Sequence, residues 1–172
     1  GMIIAHLGNG CSVAAVENGR SVETSMGFTP LEGLMMGTRS GDIDPAVVPY
    51  LADRLGITPT DVVDQLNRRS GLLGVSGVSN DVRVIAEAAE RGNQRAALAL
   101  EMFAYRVARG IAAARVALTR FDALVFTAGI GEHSAAVRSA VVGLLSHLGL
   151  AVDPARNTAN ASRIDAGSGA AI

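Results

Sequence analysis

Four short stretches of the chain carry the residue types that phosphate and nucleotide chemistry uses. In "HLGNG", His6 to Gly10, an imidazole and Leu7 precede Gly8, Asn9 and Gly10. The glycines let the backbone turn sharply and bring N–H groups close to an anion. In "GTRSGD", Gly37 to Asp42, Arg39 sits between glycines. A guanidinium held there can fork onto a carboxylate or phosphate and spread the charge of a phosphoryl group in transfer. "NDVR" sets Asp81, Val82 and Arg83 at a helix start, where Asp81 can accept from ribose hydroxyls or complement the helix dipole. "AGIGEHS" places Gly129, Ile130, Gly131, Glu132 and His133 between a strand and a helix N-terminus, a setting that favours an anion or a nucleotide.

Taken singly, each stretch also has an ordinary reading: a Gly-Asn-Gly turn with His6 hydrogen-bonded at a strand end, a solvated loop arginine, a first-turn aspartate. The last stretch is not a dinucleotide fingerprint, because its third glycine and the downstream acidic partner are missing. Asp42 and Asp44 are too few for a metal, and Asp44 reads as an N-cap. His133 and His147 stand at no ligand spacing from each other or from Cys11, so no metal site is expected in this chain.

The elements that must position these residues follow from the pattern of apolar and turn residues. Met2 to Leu7 reads as a strand, and Ser12–Glu17 and Arg20–Ser25 flank Asn18-Gly19, the signal for a type I′ hairpin. Met26 to Asp44 fits no periodic template and reads as a long functional loop. Helices are expected from Asp44-Pro45 to Leu55, from Thr60-Asp61 to Arg69 and from Asp81 to Arg91, with a glycine-punctuated loop over Ser70–Asn80. Ala96, Leu100, Phe103, Val107, Ile111, Ala114 and Leu118 form one buried stripe on a helix from Gln94 to about Thr119, roughly 39 Å long. Ala123–Thr127 is a strand, "AGIGEHS" a glycine turn and Ala135–Leu148 a helix. Strands first, then helices between later strands, predict an α/β layer protein in which one more strand would follow the last helix.

Composition narrows the function. All 15 basic residues are arginine, which excludes a Walker lysine and a Schiff-base lysine, so any phosphate must meet arginine, backbone N–H or metal. A net charge of −1 with no basic cluster gives no footprint for nucleic acid or an anionic membrane, and the partner is a small molecule. No segment approaches the ~20 apolar residues of a membrane span. One cysteine, Cys11, forbids an intrachain disulfide and suits a reducing cytoplasm.

Together, "HLGNGCS", "TSMGFTPLEGLMMGTRSGDIDP", "GVSGVSNDVR" and "DALVFTAGIGEHS", in this order, closely resemble the acetate kinases, members of the short-chain carboxylate kinases. The resemblance covers nearly the whole chain. It implies a ribonuclease-H-like domain of the actin, hexokinase and heat-shock ATPase group. Residues 1–172 would be a single, incomplete C-terminal nucleotide-binding domain. It further implies that His6 to Gly10 lie against nucleotide phosphates, that Asp81 to Arg83 bind the adenosine side and that Gly129 to His133 complete the pocket. Arg39 matches the arginine that steadies the phosphoryl group. Two positions depart from many relatives: His133 stands where asparagine is common, and Cys11 where alanine is common. ATP and acetate would be the substrates, Mg²⁺ would take its protein ligands outside this chain, and the protein would be a homodimer. A propionate or butyrate kinase is the near alternative. A non-catalytic nucleotide-binding or dimerisation module is the alternative of another class, and the isolated chain is expected to be inactive.

Overall fold

The computed structural model describes residues 1–167 and 169–172. Its sheet has the strand order β3-β2-β1-β4, with β1 at Met2–Leu7, β2 at Cys11–Glu17, β3 at Arg20–Thr24 and β4 at Ala123–Thr127. Asn18 and Gly19 both have positive φ, 50° and 77°, as a type I′ turn requires, and they fold β2 against β3. β1 runs antiparallel to β2 from Met2↔Val16 to Leu7↔Cys11, and parallel to β4 from Met2↔Ala123 to His6↔Thr127. Strand alternation sends Ile3, Ala5 and Leu7 of β1, and Cys11, Val13 and Ala15 of β2, into the core.

Across that face lies α5, Gln94–Arg115, capped by the Asn93 side chain on the Ala96 N–H. Its buried residues include Ala96, Phe103, Val107, Ile111 and Ala114, and Leu118 is buried just beyond its end. Leu100 is only partly buried. The helix stops at Arg115, short of Thr119, and the chain turns there through i→i+3 bonds at Val116, Ala117 and Leu118. Around it pack α3 (Gly71–Ser76), α4 (Val82–Glu90) and α7 (Ala135–Leu144). A second, small core of Ala52, Val62 and Leu66 joins α1 (Val47–Leu55) to α2 (Pro59–Arg68). The start of α2 is a full capping box, in which Thr58 and Asp61 satisfy each other's backbone N–H.

Several local expectations change. Ser70–Asn80 contains the helix α3, and the "AGIGEH" turn is the helix α6, Ala128–His133. α1 begins at Val47 with Ala46 as N-cap. Asp44 instead accepts the Ala46 N–H at 2.9 Å, closing a turn around Pro45. α7 ends at Leu144 and gives way to a 3₁₀ turn, Ser146–Leu148. α8, Pro154–Thr158, lies in the tail. Where one more strand is expected after the last helix, the described residues form an isolated parallel bridge, Ala171 to Ala123. The Leu124 N–H donates to the Ala171 carbonyl at 2.8 Å, and the Ala171 N–H to the Asp122 carbonyl at 2.9 Å.

Candidate functional site

Because β1 and β4 are parallel neighbours, both release the chain at the same edge of the sheet, and ligands of α/β sheets bind beyond the carboxyl ends of such strands. β1 leads into Gly8–Gly10, β4 into α6, and His6 Nδ1 lies 3.0 Å from Thr127 Oγ1 across the two ends. A cavity of about 490 Å³ opens there, lined by Gly8, Asn9, Asn80, Asp81, Val82, Arg83, Gly129, Ile130, His133 and Ser134. Three stretches far apart in the chain thus share one wall. The volume is in the range of small-molecule sites.

Not every expected residue lines it. Leu7 is fully buried in the core, so only its backbone can serve the loop. Gly131 is buried, and a Cβ there would stand 3.4 Å from the Phe126 backbone. Glu132 accepts the Ala128 N–H at 2.9 Å and holds the first turn of α6, where Ala128 has a φ of 65°. That left-handed non-glycine residue is the kind of strain found at functional sites. Asn80, Thr127 and Ser134 were not singled out by their motifs. Asn80 was hidden because Asn before Asp-Val-Arg reads as a helix cap.

Asp81 is the N-cap of α4, and its Oδ1 accepts the Arg83 N–H at 2.9 Å. The Arg83 guanidinium also grips it, Nε to Oδ1 at 3.1 Å and Nη2 to Oδ2 at 2.7 Å. These bonds from Arg83 hold the Asp81 carboxyl below its ordinary range. A carboxylate has about four acceptor sites, so capacity for a hydroxyl donor remains.

Arg39 stands beside the cavity rather than in its wall: a Cβ added to Gly10 would lie 3.3 Å from Arg39 Nη1. It is half-buried, and among the described residues its side-chain hydrogen bonds are long, 3.4 Å to the Pro30 carbonyl and 3.8 Å to Met36 sulfur, both from Nη1. The backbone under it is firmly seated. Ser70, Leu72 and Leu73 donate to the carbonyls of Thr38, Met36 and Gly37, each at 2.9 Å, and Gly37 donates to the Asn9 carbonyl at 3.0 Å. Gly71 makes this possible with a φ of 59°, since a Cβ there would lie 2.2 Å from the Met36 carbonyl oxygen. Cys11 lies beneath the Gly8 loop and donates its thiol to the Gly8 carbonyl at 3.2 Å, and burial pushes its pKa up to about 12.

A second arginine supports α6 from behind. Arg138 of α7 is 3 % exposed, with Nη1 donating to the Gly131 and Glu132 carbonyls at 2.9 and 2.7 Å. Its Nε reaches Asn157 Oδ1, and its Nη2 the Asn157 carbonyl and Asn160 Oδ1, each at 2.7 Å.

The model of the acetokinase family matches residues 1–167. The chain belongs to the acetokinase family. The acetate kinase of Methanosarcina thermophila is 52 % identical over 164 residues, 95 % of this chain and 40 % of that protein. Acetate kinase 1 of Neisseria meningitidis serogroup A is 56 % identical over 156 residues, 91 % of this chain and 39 % of that protein. Among solved acetokinase-family structures, a propionate kinase from Francisella tularensis superposes with a TM-score of 0.96 at 45 % identity, covering 99 % of this chain and 44 % of that one. Porphyromonas gingivalis acetate kinase superposes at 0.93 with 41 % identity over the same shares. The fold is therefore the α/β, actin-like ATPase fold of these kinases, and the chain spans about two fifths of the length of the curated relatives it matches.

Proposed function

We propose that residues 1–172 form one nucleotide-binding domain of an acetate kinase, which moves the γ-phosphoryl group of ATP to acetate and yields acetyl phosphate and ADP. The observation that carries this reading is the convergence of Gly8-Asn9, Asp81 to Arg83, and Gly129, Ile130 and His133 on one cavity beyond the parallel strand ends. In the transfer, an acetate oxygen forms a bond to the γ-phosphorus while the bond to the β-bridging oxygen breaks, its electron pair leaving on ADP. Such a transition state asks for position and charge stabilisation more than covalent help. Arg39, with Nε and Nη2 bonded to none of the described residues, is the group we assign to the charge on the moving phosphoryl oxygens. Asp81 is assigned to a ribose hydroxyl.

Mg²⁺ would arrive with the nucleotide and neutralise phosphate charge. Among the described residues no three His, Cys, Asp or Glu side chains converge, and we assign its protein ligands to residues outside this chain. Propionate is the second acceptor to consider, because the Francisella tularensis structure that superposes at 0.96 is named a propionate kinase. For the homodimer we assign the outward face of α5, where Leu98, Met102 and Tyr105 are exposed at one helical stripe. No helix among the described residues is long and apolar enough to cross a membrane. An ATP-consuming reaction and a free thiol at Cys11 fit the cytoplasm.

Calorimetric titration of the chain with Mg-ADP tests the reading. One saturable site is expected, together with no acetyl phosphate from ATP and acetate by the chain alone. A folded chain that takes up no ADP would remove the site assignment, and turnover by the chain alone would remove the division of labour.

A further inference from the structure

Asn80 lines the cavity, yet the nucleotide reading gives it no task. Its Nδ2 donates to Asn9 Oδ1 at 2.9 Å, joining two segments 71 positions apart. The same oxygen faces Gly37, where an added Cβ would stand 2.2 Å from it. Asn9 is therefore held with its carboxamide oxygen toward Asn80 and Gly37. Its NH₂ bonds to none of the described residues, although Asn9 is exposed and forms part of the cavity wall.

An asparagine amide is two-faced, and its terminal torsion is broad and roughly two-fold. One end donates and the other only accepts. Turned one way, Asn9 offers an anion two N–H groups; turned the other, it offers a lone pair that repels it. In the structure Asn80 turns its Nδ2 donor to Asn9 Oδ1, which corresponds to the first arrangement. We infer that Asn80 is a positioning residue that fixes the Asn9 carboxamide with its NH₂ toward the cavity, as a donor to an anionic phosphoryl oxygen. This rests on the nucleotide reading of the cavity.

The decisive variant is Asn80→Asp, whose carboxylate can only accept and so draws the Asn9 NH₂ round to itself. Side-chain amide exchange, followed by NMR on the ligand-free chain, reads the orientation directly. In the unaltered chain the Asn9 NH₂ protons should exchange rapidly and those of Asn80 slowly; in Asn80→Asp the Asn9 protons should become protected. Protected Asn9 protons in the unaltered chain would overturn the proposal. ADP titration reads the consequence: Asn80→Asp should weaken binding about tenfold. The same change in an Asn9→Ala background should cost less than about twofold, because its route through Asn9 is gone. An equal loss in both backgrounds would mean that residue 80 acts by its own charge, which would overturn the proposal. If the unaltered chain takes up no ADP while exchange follows the expected pattern, the nucleotide reading falls and the Asn80-to-Asn9 arrangement stands.

Discussion

The loop that carries Arg39 and the helix that carries Arg138 use the same guanidinium in opposite ways. In α7 all five N–H donors of Arg138 are matched to oxygens between 2.7 and 2.9 Å away. They tie the last turn of α6 to α8 and to Asn160. No carboxylate takes part, so the charge rests on carbonyl and amide dipoles, including the negative end of a helix. In the Arg39 loop the seat is tight and the side chain is not, with two contacts of 3.4 and 3.8 Å from one nitrogen. A saturated arginine organises its own protein. One with donors to give, above a rigid backbone, suits the phosphoryl role we propose for Arg39.

That contrast breaks first at Arg138. Arg138→Ala should cost about 3–5 kcal/mol in urea unfolding, because Asn157 and the α6 carbonyls lose their partner in the interior. Arg138→Lys should recover only part, having three donors in place of a five-donor fork. A loss under about 1 kcal/mol would mean the network is ornamental. Next comes Arg39→Ala, which in a full-length enzyme should lower turnover by about 10²–10³. In this chain it should move stability by no more than about 0.5 kcal/mol, and a loss like that of Arg138→Ala would erase the distinction. Gly71→Ala tests the seat, where positive φ and the close Met36 and Arg39 carbonyls should cost about 2 kcal/mol or more. Thermal melting checks it.

Acidity sharpens the comparison more gently. The Asp165 carboxylate accepts from the Arg163 guanidinium and from the Ile172 and Gly167 N–H groups, and the Arg163 bond above all holds its pKa well below the usual range. A carboxyl lowered in the folded state contributes stability that is complete above its unfolded value, near about 4, and is lost as pH falls toward the folded one. Asp165→Asn should therefore flatten the decline of the urea midpoint below about pH 5. Arg138→Ala should lower that midpoint equally at about pH 7 and pH 4, since acid removes none of its partners. A strongly pH-dependent loss at Arg138 would show a carboxylate acting on it in solution.

Much of this arrangement was legible in the residues. Asn18-Gly19 fixed the hairpin, apolar spacing marked α5, and the glycine-bearing motifs together with "NDVR" named most of the cavity wall. What stayed hidden depends on distant partners. "AGIGEH" has two glycines and poor intrinsic helicity, and it is helical because Glu132 satisfies the Ala128 N–H and Arg138 binds its last carbonyls. α3 likewise forms where Gly71 docks on the Arg39 loop. Asn80 could not be found from its neighbours, since its partner Asn9 lies 71 positions away. Leu7, by contrast, sits within a motif yet turns inward, a reminder that a motif assigns a segment while strand alternation assigns its faces.

The parallel pairing of β1 with β4 sets a timetable for biosynthesis. β1 is made ahead of β2 and β3 and finds them by local antiparallel pairing, but the partner for its other edge, near Thr127, is 121 residues behind His6. Throughout that interval the nascent hairpin displays an unpaired strand edge of apolar Ile3 and Ala5, the kind of surface that templates misassembly. Long-range pairing of this sort is slow. β1 is thus paired along one edge long before the other, and that open edge stays available to wrong partners until β4 has been made.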